Sequence, residues 1–341
     1  MNRKFHDLIG WMLCLLLALA GAYFASLPRR ATVEGQVAVV SLDQSKVASL
    51  MMTGANFKVY ARQKSPGRWW IEYERSNVKE SKPLQDQSSS SAASHGEAGN
   101  GEAFLASPRF KDIISALMPM TAVRRVGVIE DKQRSDFGLA DGVRSFEVLD
   151  ADGVKLLALD VGKSLYGSRN LYIMNRADRN VYLVSGDWLS DFEKPELRFY
   201  ERNLSAIPAE ELQASTVIQN GKERRFSHTK RDAKGVLIWT PESGDETAGV
   251  NAGVWFSKFE QLKAATYATD TRENELKALP ILFEVELVGL GSAQERVQVR
   301  KAQFGNQNEY WVTSSFLGWH VKVANTRAEV LERDIARLLG P

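Results

Sequence analysis

The chain has 341 residues, 44% of them hydrophobic and 25% charged, which excludes an intrinsically disordered protein and leaves room for one large core or two ordinary ones. Its net charge of +2 conceals a basic N-terminus: within the first 30 residues Arg3, Lys4, Arg29 and Arg30 face Asp7 alone, so the remaining body is close to neutral. A near-neutral body argues against nucleic-acid binding, which needs a basic surface for phosphates, and Cys14 as the only cysteine leaves no disulfide or cysteine-based zinc site.

Residues Leu8 to Leu27 form twenty residues without a charge, ended by Pro28. A helix of that length spans roughly 30 Å, the thickness of the hydrocarbon core, with Trp11 and Tyr23 placed for the two headgroup regions. The expectation is a transmembrane helix contacting membrane lipid through residues 8–27. A cleaved signal peptide is the rival, because Ala18-Leu19-Ala20 and Ala20-Gly21-Ala22 both fit a small-x-small cleavage pattern. Arg3 and Lys4 favour a cytoplasmic N-terminus while Arg29 and Arg30 oppose it, and long domains translocate largely regardless of charge. The expected location is a bacterial inner membrane, crossed once, with the large domain periplasmic.

After the anchor, Val47–Met52, Phe57–Arg62 and Arg68–Tyr73 read as three strands, the last two joined by a Ser65-Pro66-Gly67 turn. Residues 79–106 are rich in serine, glycine and small polar residues and read as a flexible insert, with His95 inert within it. A helix follows, with Ser107 as N-cap, Pro108 at the first helical position, and Phe110, Ile113, Ile114 and Leu117 on one face. The strand pair Phe146–Leu149 and Leu156–Leu159, then Leu171–Ile173 and Val181–Val184, lead to a short helical stretch, Asp187–Phe192, cut by Pro195.

The same order then recurs. Ala214–Ile218, Glu223–His228 and Val236–Trp239 precede a helix carrying Trp255, Phe259 and Leu262. Phe283–Leu287, Val297–Val299, Tyr310–Val312 and Trp319–Lys322 complete the second copy. Phe146 to Phe283, Tyr172 to Trp311 and Tyr182 to His320 differ by 137 to 139 positions, and Trp70 to Trp239 by 169, an excess close to the length of the insert. The expected fold is α+β: an N-terminal transmembrane helix, then two similar units of mostly antiparallel sheet with packed helices, an internal duplication. The expected domains are a tail and anchor at 1–30, a first unit at 31–203 carrying the insert 79–106, and a second unit at 204–341. The last unit ends in a helix for which Thr326-Arg327-Ala328-Glu329 reads as a capping box.

Motifs for chemistry are thin. Gly162-Lys163-Ser164 resembles the tail of a phosphate loop, but Leu157 stands where that loop needs glycine. Asp150-Ala151-Asp152-Gly153 lacks the carboxylates of a calcium loop and reads as a hairpin turn. His6, His95, His228 and His320 have no metal-ligand spacing, and no nucleophile elbow occurs. No catalytic, cofactor or metal residue is expected. Adjacent Trp69 and Trp70 must point to opposite faces of their strand, so one is expected buried and the other exposed as a candidate partner contact. Cover for a second sheet face explains the same pair.

The run Val37 to Tyr73 with Asp43 and Arg68-Trp69-Trp70 resembles the bacterial domain of unknown function 4340. The helix Phe110–Leu117, Phe137-Gly138-Leu139, the hairpin ending at Gly162-Lys163, and the strands Leu171–Ile173 and Val181–Val184 resemble it too. Phe137 replaces that family's tyrosine, and the serine-rich insert departs from its pattern. The resemblance covers about residues 37–203, and the second half as a diverged repeat. It implies a membrane-anchored protein of unknown activity, often encoded beside ABC-transporter components, and transfers no catalytic residue. The functional expectation is a non-enzymatic accessory or interaction subunit of an ABC-type transport complex. The alternative is a periplasmic module that binds lipid, glycan or peptide in a cleft between the two units.

Overall fold

The computed structural model describes residues 37–75, 102–140, 144–231, 237–242, 246–305 and 307–340. Residues 8–27, the insert up to residue 101 and the turn at 232–235 lie outside the described residues. Among the described residues no helix is long and apolar enough to cross a membrane.

The first described strand, β1 (Val37–Val40), pairs with β6 (Met120–Ala122) as a two-stranded ribbon. The first large sheet contains β2 (Ser49–Thr53), β3 (Phe57–Ser65), β4 (Arg68–Arg75), β5 (Glu102–Leu105), β7 (Arg124–Val128), β8 (Ser145–Leu149), β9 (Lys155–Ser164), β10 (Asn170–Asn175) and β11 (Asn180–Ser185). Their order across the sheet is β5-β4-β3-β2-β8-β9-β10-β11-β7. The second sheet contains β12 (Leu212–Gln219), β13 (Lys222–Arg231), β14 (Leu237–Pro241), β15 (Thr266–Tyr267), β16 (Ile281–Gly289), β17 (Gln294–Phe304), β18 (Gln307–Ser314) and β19 (Val321–Lys322). Its order is β14-β13-β12-β16-β17-β18-β19-β15. With β5 set aside, the two orders match strand for strand, β4 answering β14 and β7 answering β15. Neighbouring strands in both sheets run antiparallel, and with the helices the fold is α+β.

Alternation builds these strands. Phe57, Val59 and Ala61 are buried in β3 while Lys58 and Arg62 are exposed, and Phe283, Val285 and Leu287 point inward from β16. Hairpin turns carry matching chemistry. Asn220 and Gly221, both at positive φ, close the two-residue loop between β12 and β13, the conformation whose twist suits paired strands. The Asp150 carboxylate accepts from the backbone N–H groups of Asp152 and Val154, which makes that segment a turn.

Helices cover one face of the first sheet and both faces of the second. In the first unit α1 (Pro108–Leu117) buries Phe110, Ile114 and Leu117, followed much later by two short helices, α2 (Leu189–Glu193) and α3 (Pro195–Arg198). Phe192 of α2 meets Phe146 of the sheet, Phe110 of α1 and Phe199 beyond α3, all at ring distances of 5.3 to 6.1 Å. In the second unit α4 (Glu246–Glu260) lies against α6 (Asn325–Leu339), where Trp255 Nε1 donates to the Leu331 carbonyl at 3.1 Å and Lys258 pairs with Asp334 at 2.9 Å. On the opposite face α5 (Asp270–Ala278) seats Leu276 with Trp311, Ala302 and Ala268.

The segment 199–207 runs between the sheets and hydrogen-bonds to both. Glu201 N–H donates to the Leu105 carbonyl at the β5 edge, and Ala264 N–H donates to the Arg202 carbonyl on the far side, each at 2.9 Å. One contiguous apolar cluster extends from Val39 to Leu338. The halves are thus joined edge to edge and share a core.

Two expectations need correction, and a third holds in position alone. The insert ends before residue 102: Glu102–Leu105 pair with β4, and Phe104 is wholly buried, because the Ala103-Phe104-Leu105 end of that segment is apolar enough to add a strand. Thr326 caps nothing. Val323 N–H still donates to the Tyr310 carbonyl, and the next carbonyl, Ala324, already accepts from Arg327 and Ala328, so α6 starts at Asn325 with Ala324 as N-cap. Ser107 occupies the N-cap of α1, but its side chain makes no capping bond.

Candidate functional site

Trp69 and Trp70 leave β4 on opposite faces, as a strand requires, yet both are buried, at 6% and 5% exposure. Trp69 packs edge-on against Phe110 of α1 at 5.4 Å. Trp70 meets Tyr267 at 5.7 Å and Trp319 at 5.2 Å, both in the second unit, with Lys64 Nζ 3.9 Å above its ring. The expectation that one tryptophan is exposed is therefore corrected. The second face of β4 is covered by the C-terminal half, so the contact Trp70 makes is internal.

The neighbouring residues close the same seam. Arg68 donates to the Phe316 carbonyl and lies over the Phe316 ring. Tyr200 and Tyr267 pack edge to face at 5.1 Å, and the Tyr267 hydroxyl donates to the Glu201 carbonyl at 3.2 Å. Burial pushes both phenols well above the usual tyrosine range. Aromatic rings fill the place where a cleft between the units was expected.

A cavity of about 470 Å³ lies instead within the first unit. Arg109, Ile113, Ala116 and Leu117 of α1 form one wall, Met120 and Thr121 of β6 another. Val184 at the end of β11 and Trp188 before α2 complete the apolar part, while Ser185, Asp187, Ser190, Asp191 and Arg198 are polar. The Asp191 side chain, 9% exposed, draws in two guanidiniums: Arg109 Nη2 at 3.1 Å and Arg198 Nε at 3.3 Å. The helix layer is thin here for a local reason. Pro195 has no N–H to continue α2, so two short helices stand where the second unit has the 15-residue α6.

Sequence reasoning missed Arg109, Asp191 and Arg198. One signal was present: Arg109 sits in the first turn of α1, where the helix dipole disfavours a cation unless a carboxylate is brought up to it.

The other motifs are structural. Gly162 ends the buried part of β9, and a Cβ there would lie 2.4 Å from the Phe137 carbonyl oxygen, so close backbone approach explains this glycine. His228 Nδ1 lies 2.7 Å from the Leu212 carbonyl, with Trp239 beside the ring. His320 is buried against Glu273, its Nδ1 3.0 Å from Oε1, while Arg300 Nε donates to its Nε2 at 3.2 Å. Among the described residues no group of three or more histidines and carboxylates is placed to hold a metal ion.

The family model described as Domain of unknown function (DUF4340) matches residues 98–279, more than half of the chain. The match runs from β5 to α5 and so takes in part of both units, rather than the 37–203 stretch that carried the resemblance in sequence. No curated protein matches the chain.

Proposed function

The chain belongs to the DUF4340 family, and from that premise we propose that it is a non-enzymatic, membrane-anchored envelope protein, an accessory or interaction subunit of an ABC-type transport complex. The observation that carries this reading is how few residues separate the first described strand from the uncharged stretch. Ala38 of β1 pairs with Thr121 of β6, eleven residues after Leu27 closes the uncharged stretch. Eleven residues reach at most about 40 Å, so a body held by residues 8–27 stays beside the bilayer. Its two halves are hydrogen-bonded to one connector and share an apolar core. Such a tethered body meets a neighbour in the same membrane at a high effective concentration. The shared strand order of the two sheets supports an internal duplication, and the periplasmic side is proposed for the body because long domains translocate largely regardless of flanking charge.

Crosslinking of the tagged full-length protein in native membranes, followed by pull-down and mass spectrometry, tests the proposal. Enrichment of transporter subunits is expected. Recovery of the protein alone refutes a stable complex. A second reading, a binding module for lipid, glycan or peptide, is supported by the cavity beside α1 in the first unit rather than by a cleft between the units.

A further inference from the structure

We infer that the cavity beside α1 binds a single-chain anionic amphiphile, an apolar chain ended by a carboxylate or a phosphate. The inference rests on the binding-module reading and gives it a ligand class. A volume of about 470 Å³ falls within the range of roughly 300–1,000 Å³ typical of small-molecule sites. Part of its lining is aliphatic, from Ile113, Leu117, Met120 and Val184, and suits an apolar chain.

The polar side supplies the charge. Arg109 and Arg198 both line the cavity, and their side chains remain 55% and 54% exposed although both reach Asp191. A guanidinium carries five N–H donors. Asp191 engages Nη2 of one and Nε of the other, and among the described residues the remaining donors of this pair meet no other side-chain acceptor. One buried carboxylate between two arginines leaves a positive charge on this trio, with Arg109 hydrogen-bonded to Asp191 and Arg198 ion-paired to it, and guanidiniums suit carboxylate or phosphate recognition. Asp187 on the same side opposes an anion, but it faces Arg169 at 3.6 Å and accepts from the Ser185 hydroxyl at 3.0 Å. The β6 wall is the strand paired with β1, which keeps the cavity within a short tether of residues 8–27.

The test uses the full-length chain in phosphatidylcholine bilayer discs. Three probes share one tail bearing a photoactivatable diazirine: a fatty acid, a lysophosphatidate and an uncharged monoacylglycerol. Labelled positions are mapped by peptide mass spectrometry. The expected result is labelling at residues 113–121 and 184–191 by one or both anionic probes, which tells carboxylate from phosphate, and little by the monoacylglycerol. Ala116→Trp, at an exposed position on α1, should lower that labelling about tenfold by filling the mouth. Arg198→Ala should lower it about tenfold by removing a charge-assisted contact. Since Arg198→Ala also strips a partner from a buried carboxylate, its melting curve is recorded alongside, and Ala116→Trp decides if it unfolds. Equal labelling of the cavity by the monoacylglycerol overturns the anionic class and leaves the binding-module reading standing. Label confined to residues 8–27 with all three probes overturns the amphiphile. A co-purifying peptide that must be stripped before the cavity labels overturns the amphiphile in favour of a protein ligand.

Discussion

Replacing Trp70 with alanine should loosen the joint between the two halves, whereas the same change at Trp69 should not. Removing a buried tryptophan from a core costs about 3–5 kcal/mol, and both residues are almost fully buried, so the totals should be alike. Their distribution differs. Trp70 makes two cross-seam ring contacts, with Tyr267 and Trp319, and aromatic pairs contribute about 0.5–1.5 kcal/mol each beyond area burial. About 1–3 kcal/mol of its loss therefore falls on the seam, which corresponds to about five- to 150-fold more local opening. Trp69 touches Phe110 and crosses no seam by ring contact. Hydrogen exchange on the full-length protein reads the difference. Trp70→Ala should accelerate exchange at residues 264–268 and 316–320, and Trp69→Ala should act at 108–117. Unchanged exchange at 264–268 in Trp70→Ala refutes the claim that this ring closes the joint.

Three further outcomes are expected. At Glu273, burial by itself pushes the carboxyl up, but hydrogen bonds from the His320 ring and backbone N–H more than offset it and hold it below its ordinary value of 4.5. A lowered folded value means that Glu273 stabilises above about pH 4.5 and loses that contribution as pH falls through its folded value. Glu273→Gln should cost about 1–3 kcal/mol at pH 7, and a gap to wild type that widens on acidification contradicts the assignment. Gly162→Ala should lower stability by about 1–3 kcal/mol, because the new methyl meets the Phe137 carbonyl; an unchanged melting temperature counts against it. Leu331→Ala, at a wholly buried position on α6, should cost about 2–5 kcal/mol in chemical denaturation, and a loss under 1 kcal/mol would show that α6 is not seated on α4.

The strands were legible where a short-range rule decides them. Alternation in Phe57–Arg62 and Phe283–Leu287, and an aspartate-glycine turn at residues 150–153, each depend on neighbours a few positions away. The edge strands β5, β7 and β15 escaped notice because each is short and weakly patterned, and takes its place only when a neighbour offers an open edge. The cavity was not legible at all. Arg109 and Asp191 are 82 positions apart, and nothing local ties an arginine on one helix to a carboxylate on another.

By itself the sequence determined the uncharged stretch 8–27, the α+β class and the repeated order of hairpins and helices, since these follow from composition, period and spacing. Tertiary structure decided which surfaces stay open. Trp70 lies under the second half because the connector brings β15 beside β5. The first unit keeps a cavity because Pro195 shortens the helix layer where α6 runs unbroken in the second. Burial depends on what else folds onto a face, and that is a property of the whole chain.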